Sequence, residues 1–349
     1  MDGIELEAVT GGLLVGASER EIGKAQMKEI TQKSVIRFVP EGVIPACLMP
    51  FREDLEIDEV AYRQHLRDLA SIDGISGIAI NGHAAEVHAL TFDEQIRATA
   101  IAVEEVGNIT PIVVGVFTDS TAQAAKIAAC AKKEGASALL VFPPGPFGLG
   151  GQMRPEMAQI HVKAIAGASD LPLIIFQYPA QSDLAYPLET LVTLCERHDS
   201  ICAIKDWSGD PVSHERTIRR LHSLHRPVNV LTTHSMWLLP SLVLGARGIL
   251  SGAGSVVAQL QIALWRAVQD DDLGRAREVY NRLQLTVSAF YADPLVDMHN
   301  RMKEALVLLG RAKSAYVRPP LVKLPSKEIQ RIASLLQEAG LIQTSVAVN

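Results

Sequence analysis

The feature that most restricts what this chain can fold into is an alternating texture. From Gly42 onward a short apolar run is followed by a turn, and the turn by an amphipathic stretch, eight times in succession. The runs fall at 42–49, 77–81, 111–116, 138–142, 172–177, 201–205, 227–232 and 248–251. They are apolar on both faces, as strands of a sheet covered on both sides must be. The stretches between them carry a single apolar stripe. Ala124, Ile127, Ala128 and Ala131 recur at i, i+3, i+4, i+7, and so do Leu188, Leu191, Val192 and Cys195. One stripe per helix is what packing against a sheet requires. Asp58, Ser120 and Ser235 stand where helices are expected to begin, and Gly135, Gly245 and Gly310 where they end.

Eight such units over about 230 residues match a (β/α)8 barrel. A doubly wound open sheet would usually carry a glycine-rich turn after its first strand, and here that turn reads Leu48-Met49-Pro50-Phe51. The sequence therefore predicts an α/β fold, a (β/α)8 TIM barrel over 39–270 preceded by an extension over 1–38. A C-terminal helical region follows over 271–349, with helices near 273–291, 295–309 and 326–340.

Composition removes several function classes. Net charge is −6 across 349 residues and no long basic run occurs, so a nucleic-acid platform is not expected. No segment holds the roughly 18 apolar residues a membrane span needs. Asp2, Glu5 and Glu7 break the order of a signal peptide. Cys47, Cys130, Cys195 and Cys202 are scattered with no CxxC pair, which argues against a zinc ribbon or a disulfide framework. A cytoplasmic protein with reduced thiols is expected.

Lys205 is the residue with most chemical content. It ends the apolar run Ile201-Cys202-Ala203-Ile204-Lys205-Asp206, and lysine is rarely buried without a reason. With period two, Ala203 and Lys205 share a face, taken here as inward. A lysine at the C-terminal end of a barrel strand stands where barrel enzymes keep their chemistry. Desolvation would free part of its amine, and a free amine attacks a ketone to form a Schiff base. The competing reading is a strand-end lysine that emerges into solvent beside Asp206.

Three further signals surround it. Gly82-His83-Ala84-Ala85-Glu86 follows the second run, and its glycine would let backbone amides approach a carboxylate. His83, Glu86 and His88 could alternatively be metal ligands, although their spacing matches no standard zinc signature. Phe176-Gln177-Tyr178-Pro179 ends the fifth run with Phe176 and Tyr178 on one face. Ser251 ends the last run and Gly252-Ala253-Gly254 follows it, where a glycine pair could serve an anion or simply a turn.

The order of these motifs resembles the dihydrodipicolinate synthase/N-acetylneuraminate lyase family. The resemblance rests on Gly82-x-x-x-Glu86, Phe176-x-x-Pro179, Ile204-Lys205-Asp206-Trp207-Ser208-Gly209-Asp210, Leu244 to Ser251, and Val317-Arg318-Pro319-Pro320-Leu321, and it covers roughly 40–342. It implies class I Schiff-base chemistry on pyruvate or another 2-keto acid at Lys205, with no metal or organic cofactor, in a homotetramer. It also exposes departures. Where the family's synthases carry two threonines this chain has His83 and Ala84, and where they carry a catalytic tyrosine it has Phe176. The position of a second tyrosine, donated by a neighbouring subunit, falls near Pro144-Gly145, and the arginine that grips the second substrate is replaced by Gln181. A phenylalanine cannot move a proton and a glutamine carries no charge.

The reading that follows is a Schiff-base lyase, an aldolase or a dehydratase, acting on a 2-keto acid such as pyruvate or a 2-keto-3-deoxy sugar acid. Lys205 forms the imine, and Tyr178 or His83 shuttles the proton. Gly82, Ala84, Phe176, Gln181, Ser251 and Gly252 bind the substrate. The alternatives are a synthase-type condensation of pyruvate with an aldehyde, a metal-dependent aldolase, and a non-catalytic keto-acid binder.

Overall fold

A computed structural model of the chain describes residues 38–342 apart from Ala180 and His234. The extension expected over 1–38 therefore lies, except for Phe38, outside the described residues. Eight parallel strands alternate with helices: β1 (Gly42–Pro45), β2 (Ile78–Ile80), β3 (Ile112–Val116), β4 (Ala138–Val141), β5 (Leu173–Gln177), β6 (Ile201–Asp206), β7 (Asn229–Thr232) and β8 (Gly248–Ser251). Their order is β1-β8-β7-β6-β5-β4-β3-β2. The two ends of that order meet through parallel bridges from Val43 to Ile75 and from Ala46 to Ala79. Cys47 N–H donates to Ala79 O at 2.8 Å across the same seam. The sheet is thus a barrel, and all eight apolar runs became its strands. The first run is the exception in length. Its strand ends at Pro45, although Ala46 N–H still donates to Ser251 O at 3.0 Å beyond it.

The helices between strands are α1 (Glu59–Ala70), α2 (Phe92–Val106), α3 (Thr121–Glu134), α4 (Pro155–Ala168), α5 (Leu188–Arg197), α6 (Pro211–His222), α7 (Leu238–Val243) and α8 (Gly254–Gln269). Local chemistry sets their ends. Asp58 accepts from Ala61 N–H at 2.9 Å, and Thr91 with Glu94 closes a capping box on α2. Ser120 caps α3, and Gly135 ends it at φ +96. The start expected at Ser235 is displaced: Ser235–Trp237 is a 3₁₀ turn, and α7 begins at Leu238. The Ser235 hydroxyl bonds Tyr291 Oη and lies against Ser251 Oγ, so it is not available to cap a helix.

Three more helices follow: α9 (Leu273–Phe290), α10 (Met298–Leu308) and α11 (Ser326–Glu338). Their apolar faces join the same core, through Val279, Leu283, Phe290, Met302, Leu306, Ile332 and Leu336 among others. Cys47 and Cys195 are buried, and Cys130 and Cys202 are half-buried. Among the described residues no helix is long and apolar enough to cross a membrane.

Candidate active site

At the C-terminal mouth of the barrel the side chains at inward positions become small. Ala46, Ala79, Gly82, Ala84 and Gly252 line a cavity of about 50 Å³ together with His83, Leu140, Phe176, Lys205, Trp207, Thr233, Tyr291, Met298 and His299. That is space for roughly three to five waters, or for a molecule about the size of pyruvate. Gly115 makes part of this geometry possible, since a Cβ there would lie 1.9 Å from Asn81 O and would force β3 away from the β2 loop.

Lys205 stands on β6 with Phe176 opposite it on β5 and Leu231 on β7. Only 7% of the residue is exposed. Its Nζ sits 4.0 Å from the centre of the Phe176 ring. Burial lowers its pKa to about 7, so near neutral pH about half of the amine is unprotonated. Asp206 points to the other side of the strand. One of its oxygens accepts from Ser208 N–H at 2.6 Å and the other meets His214 Nδ1 at 2.9 Å. His214 Nε2 in turn meets Ser241 Oγ at 2.8 Å. The rest of the motif is also architectural. Gly209 takes φ +74, and Asp210 caps α6 by accepting from Ser213 N–H at 2.8 Å. One residue of the motif, Lys205, faces the cavity, and its neighbours hold the strand end in place.

His83 and Tyr178 meet. His83 Nε2 and Tyr178 Oη are 2.5 Å apart. Desolvation, with smaller contributions from Lys205 and His88, lowers the His83 pKa to about 3, so its imidazole is neutral and shares a hydrogen bond with the phenol whose direction follows the imidazole tautomer. Burial pushes the Tyr178 phenol up. Rings surround the pair: Phe142 lies 4.9 Å and Phe117 5.6 Å from the His83 ring, and Phe176 lies 4.8 Å from Tyr178. Trp207 stacks on Phe176 at 6.3 Å.

The other expected site residues fall into two groups. Gly82, Ala84, Phe176 and Gly252 line the cavity. Ser251 is buried beneath it and accepts from Ala253 N–H at 3.2 Å. Gln181 lies on an exposed loop near Gly209, outside the cavity lining. Glu86 is buried and turned away from His83. It takes a left-handed conformation at φ 52 and accepts from Lys303 Nζ and, at 3.0 Å, from Arg318 N–H. His88 is exposed, and among the described residues no three His, Cys, Asp or Glu side chains converge as metal ligands.

Among the cavity residues that escaped the sequence reading, Tyr291, Met298 and His299 come from the C-terminal helical region. Tyr291 follows α9, and its Oη accepts from Ser235 Oγ at 2.8 Å. His299 opens α10, and burial holds its pKa well below the ordinary range. Arg301 holds the loop between those helices by donating to Phe290 O, Ala292 O, Asp293 O and Pro294 O while pairing with Glu328. Arg318 binds the helical region to the first turn of α2 through both oxygens of Glu94, at 2.6 and 2.9 Å. A larger cleft of about 500 Å³, lined by Leu48, His65, Lys303, Arg311 and Lys313, does not reach Lys205.

A model of the "Dihydrodipicolinate synthetase family" matches residues 39–339. A 4-hydroxy-tetrahydrodipicolinate synthase of Methanopyrus kandleri is 30% identical over 311 residues, covering 87% of this chain and 98% of the relative. An uncharacterised DapA-like lyase of Thermofilum pendens is 26% identical over 300 residues, covering 86% of this chain and 97% of its own. Among solved structures, YagE of E. coli K12, a prophage protein in complex with pyruvate, superimposes with a TM-score of 0.80 at 23% identity, over 86% of this chain and 99% of that one.

Proposed function

The chain belongs to the dihydrodipicolinate synthetase family, whose members are lyases and synthases of the class I aldolase type, and on that premise we propose that it is a Schiff-base-forming lyase acting on a 2-keto acid. The observation that carries the proposal is the Lys205 amine: desolvated to a pKa of about 7 in a small cavity at the barrel mouth. The neutral amine attacks the ketone carbon, and water leaves. The resulting iminium draws in the electron pair of a breaking bond one carbon away. Loss of an aldehyde and loss of water share that intermediate, so aldolase and dehydratase belong to one reading.

The amides of His83 and Ala84 lead a 3₁₀ turn and have no partner within it; both residues line the cavity, and their amides suit the substrate carboxylate. The pair formed by Tyr178 and His83 serves the proton of the hydroxyl beyond the reacting carbon, because both groups sit above Phe176 toward the mouth. The iminium is itself the electron sink, so the reading calls for no metal or organic cofactor. We read the protein as a cytoplasmic homotetramer. Leu149 at 93% exposure and Met153 at 78%, on the loop after β4, are apolar side chains suited to a second copy.

Condensation of pyruvate with aspartate semialdehyde is the second reading, favoured by the names of the relatives. Against it, the ring beneath Lys205 is Phe176 and Gln181 is uncharged. The test is a panel of 2-keto acids with borohydride, followed by peptide mass analysis. Pyruvate is expected to add mass at Lys205 and not in Lys205→Ala, without useful turnover when the semialdehyde is added. Trapping that survives Lys205→Ala overturns the reading.

A further inference from the structure

The C-terminal helical region is bolted to the barrel mouth at a point that decides which side chain enters the cavity. Lys303 is buried on α10, with its Nζ bonded to Glu86 and, at 2.9 Å, to Tyr316 O. The same ammonium lies 4.4 Å from the centre of the Phe51 ring. These contacts fix the rotation of α10 about its axis. His299 lies one helical turn before Lys303, at i, i+4, and therefore on the same face. That face is the one presented to the barrel, and His299 lines the cavity with Lys205, Met298 and Tyr291. Gly252 makes room for it, since a Cβ there would stand 3.0 Å from His299 Nε2.

His299 differs from His83 in one respect that matters for chemistry. The Nε2 of His83 is engaged by Tyr178 and its ring is enclosed by aromatic neighbours. Among the described residues none hydrogen-bonds either ring nitrogen of His299. His299 is a half-buried residue whose ring nitrogens meet no hydrogen-bond partner among the described residues, and it lines the cavity that holds Lys205. Phe176 occupies the position where the resemblance places a phenol, so the barrel strands themselves leave the carbon next to the imine without an acid–base group.

We propose that His299 is a catalytic residue that moves the proton at the carbon adjacent to the imine. The inference rests on the imine at Lys205 proposed above. A ring nitrogen takes the C3 proton, and the C3–H electron pair becomes the C2=C3 bond. The C2=N pair returns to nitrogen, giving a neutral enamine beside an imidazolium. The reverse transfer protonates the enamine left by bond cleavage. Charge passes from iminium to imidazolium without any net charge being created in the desolvated site, which keeps the step affordable where isolated charges are costly. Glu86, through Lys303, is a positioning residue for this group.

The test needs no knowledge of the physiological substrate. Pyruvate is incubated with the protein in heavy water, and loss of the methyl proton signal is followed by NMR, with borohydride trapping measured in parallel. The wild type is expected to trap pyruvate and exchange its methyl protons. His299→Gln is expected to trap at Lys205 and to exchange about 10²-fold more slowly or worse, the range for loss of a positioned base. Gly252→Ala, which crowds the imidazole without removing it, is expected to slow exchange with trapping intact. A wild type that traps no 2-keto acid overturns the reading of Lys205 instead. A wild type that traps but does not exchange, or a His299→Gln protein that exchanges at the parental rate, overturns the role of His299. Loss of trapping in both variants overturns it too, because the histidine would then serve the imine site as a whole.

Discussion

Replacing Lys205 by methionine is expected to make the folded protein more stable, and by an amount that depends on pH. Lys205 is 7% exposed, and burial moves its amine from an ordinary 10.5 to about 7. At about 1.4 kcal/mol per pH unit, that gap corresponds to about 5 kcal/mol spent on holding the charged form in place. Below pH 7 the folded and unfolded chains both bind the proton, and the penalty is complete. Between about 7 and 10.5 only the unfolded chain binds it, so parental stability climbs with pH; above that window the penalty is gone. Methionine keeps the length of the stem and carries no charge to desolvate. Relaxation and water entry reduce the measured figure. We therefore expect a gain of about 3–5 kcal/mol at pH near 6, shrinking to about 1–2 kcal/mol near pH 9.5. Urea unfolding of both proteins at those two pH values and one protein concentration reads the difference. A variant no more stable than its parent near pH 6, or a gain that does not change with pH, would show that the amine is not held desolvated. On the function proposed for Lys205, the same desolvation serves the chemistry. It raises the neutral fraction at pH 7 from about 0.03% for an ordinary lysine to about half, roughly 10³-fold more nucleophile.

Two other outcomes are expected. Tyr178→Phe and His83→Ala, followed in single turnover on the true substrate, should include at least one variant slowed tenfold or more while trapping at Lys205 persists; if both keep the parental rate, the pair is only a wall of the pocket. Glu86→Gln should lower stability by about 3 kcal/mol, the low end for halving a buried ion pair. Lys303, with a pKa already lowered to about 8, can shed its proton instead of remaining as an unpaired charge. A urea midpoint within error of the parent would refute that role for the pair.

The sequence by itself determined the barrel and the inward position of Lys205 on its sixth strand, because both are written in local periodicity. An apolar run covered on both faces can only be an inner strand, and Val113, Leu139 and Ile174 illustrate it: each is fully buried. A lysine ending such a run must face inward or waste a buried position, and period two placed Lys205 on the cavity side. Tyr178 and His83 were each legible as polar groups near the mouth, from strand ends alone. Their mutual hydrogen bond was not, since it joins residues 95 positions apart in the chain. Nothing local distinguishes His299 or Tyr291 from other helix-end residues, and no pattern in the C-terminal helices says which face meets the barrel. That was decided by tertiary contacts, above all the ion pair of Glu86 and Lys303 across 217 residues. The physical reason is that periodicity reports how a segment divides its own surface between core and water, whereas an active site is assembled from the ends of many segments. Which side chains meet there depends on closure of the barrel and the rotation of α10, and both are set by contacts that no short window of sequence contains.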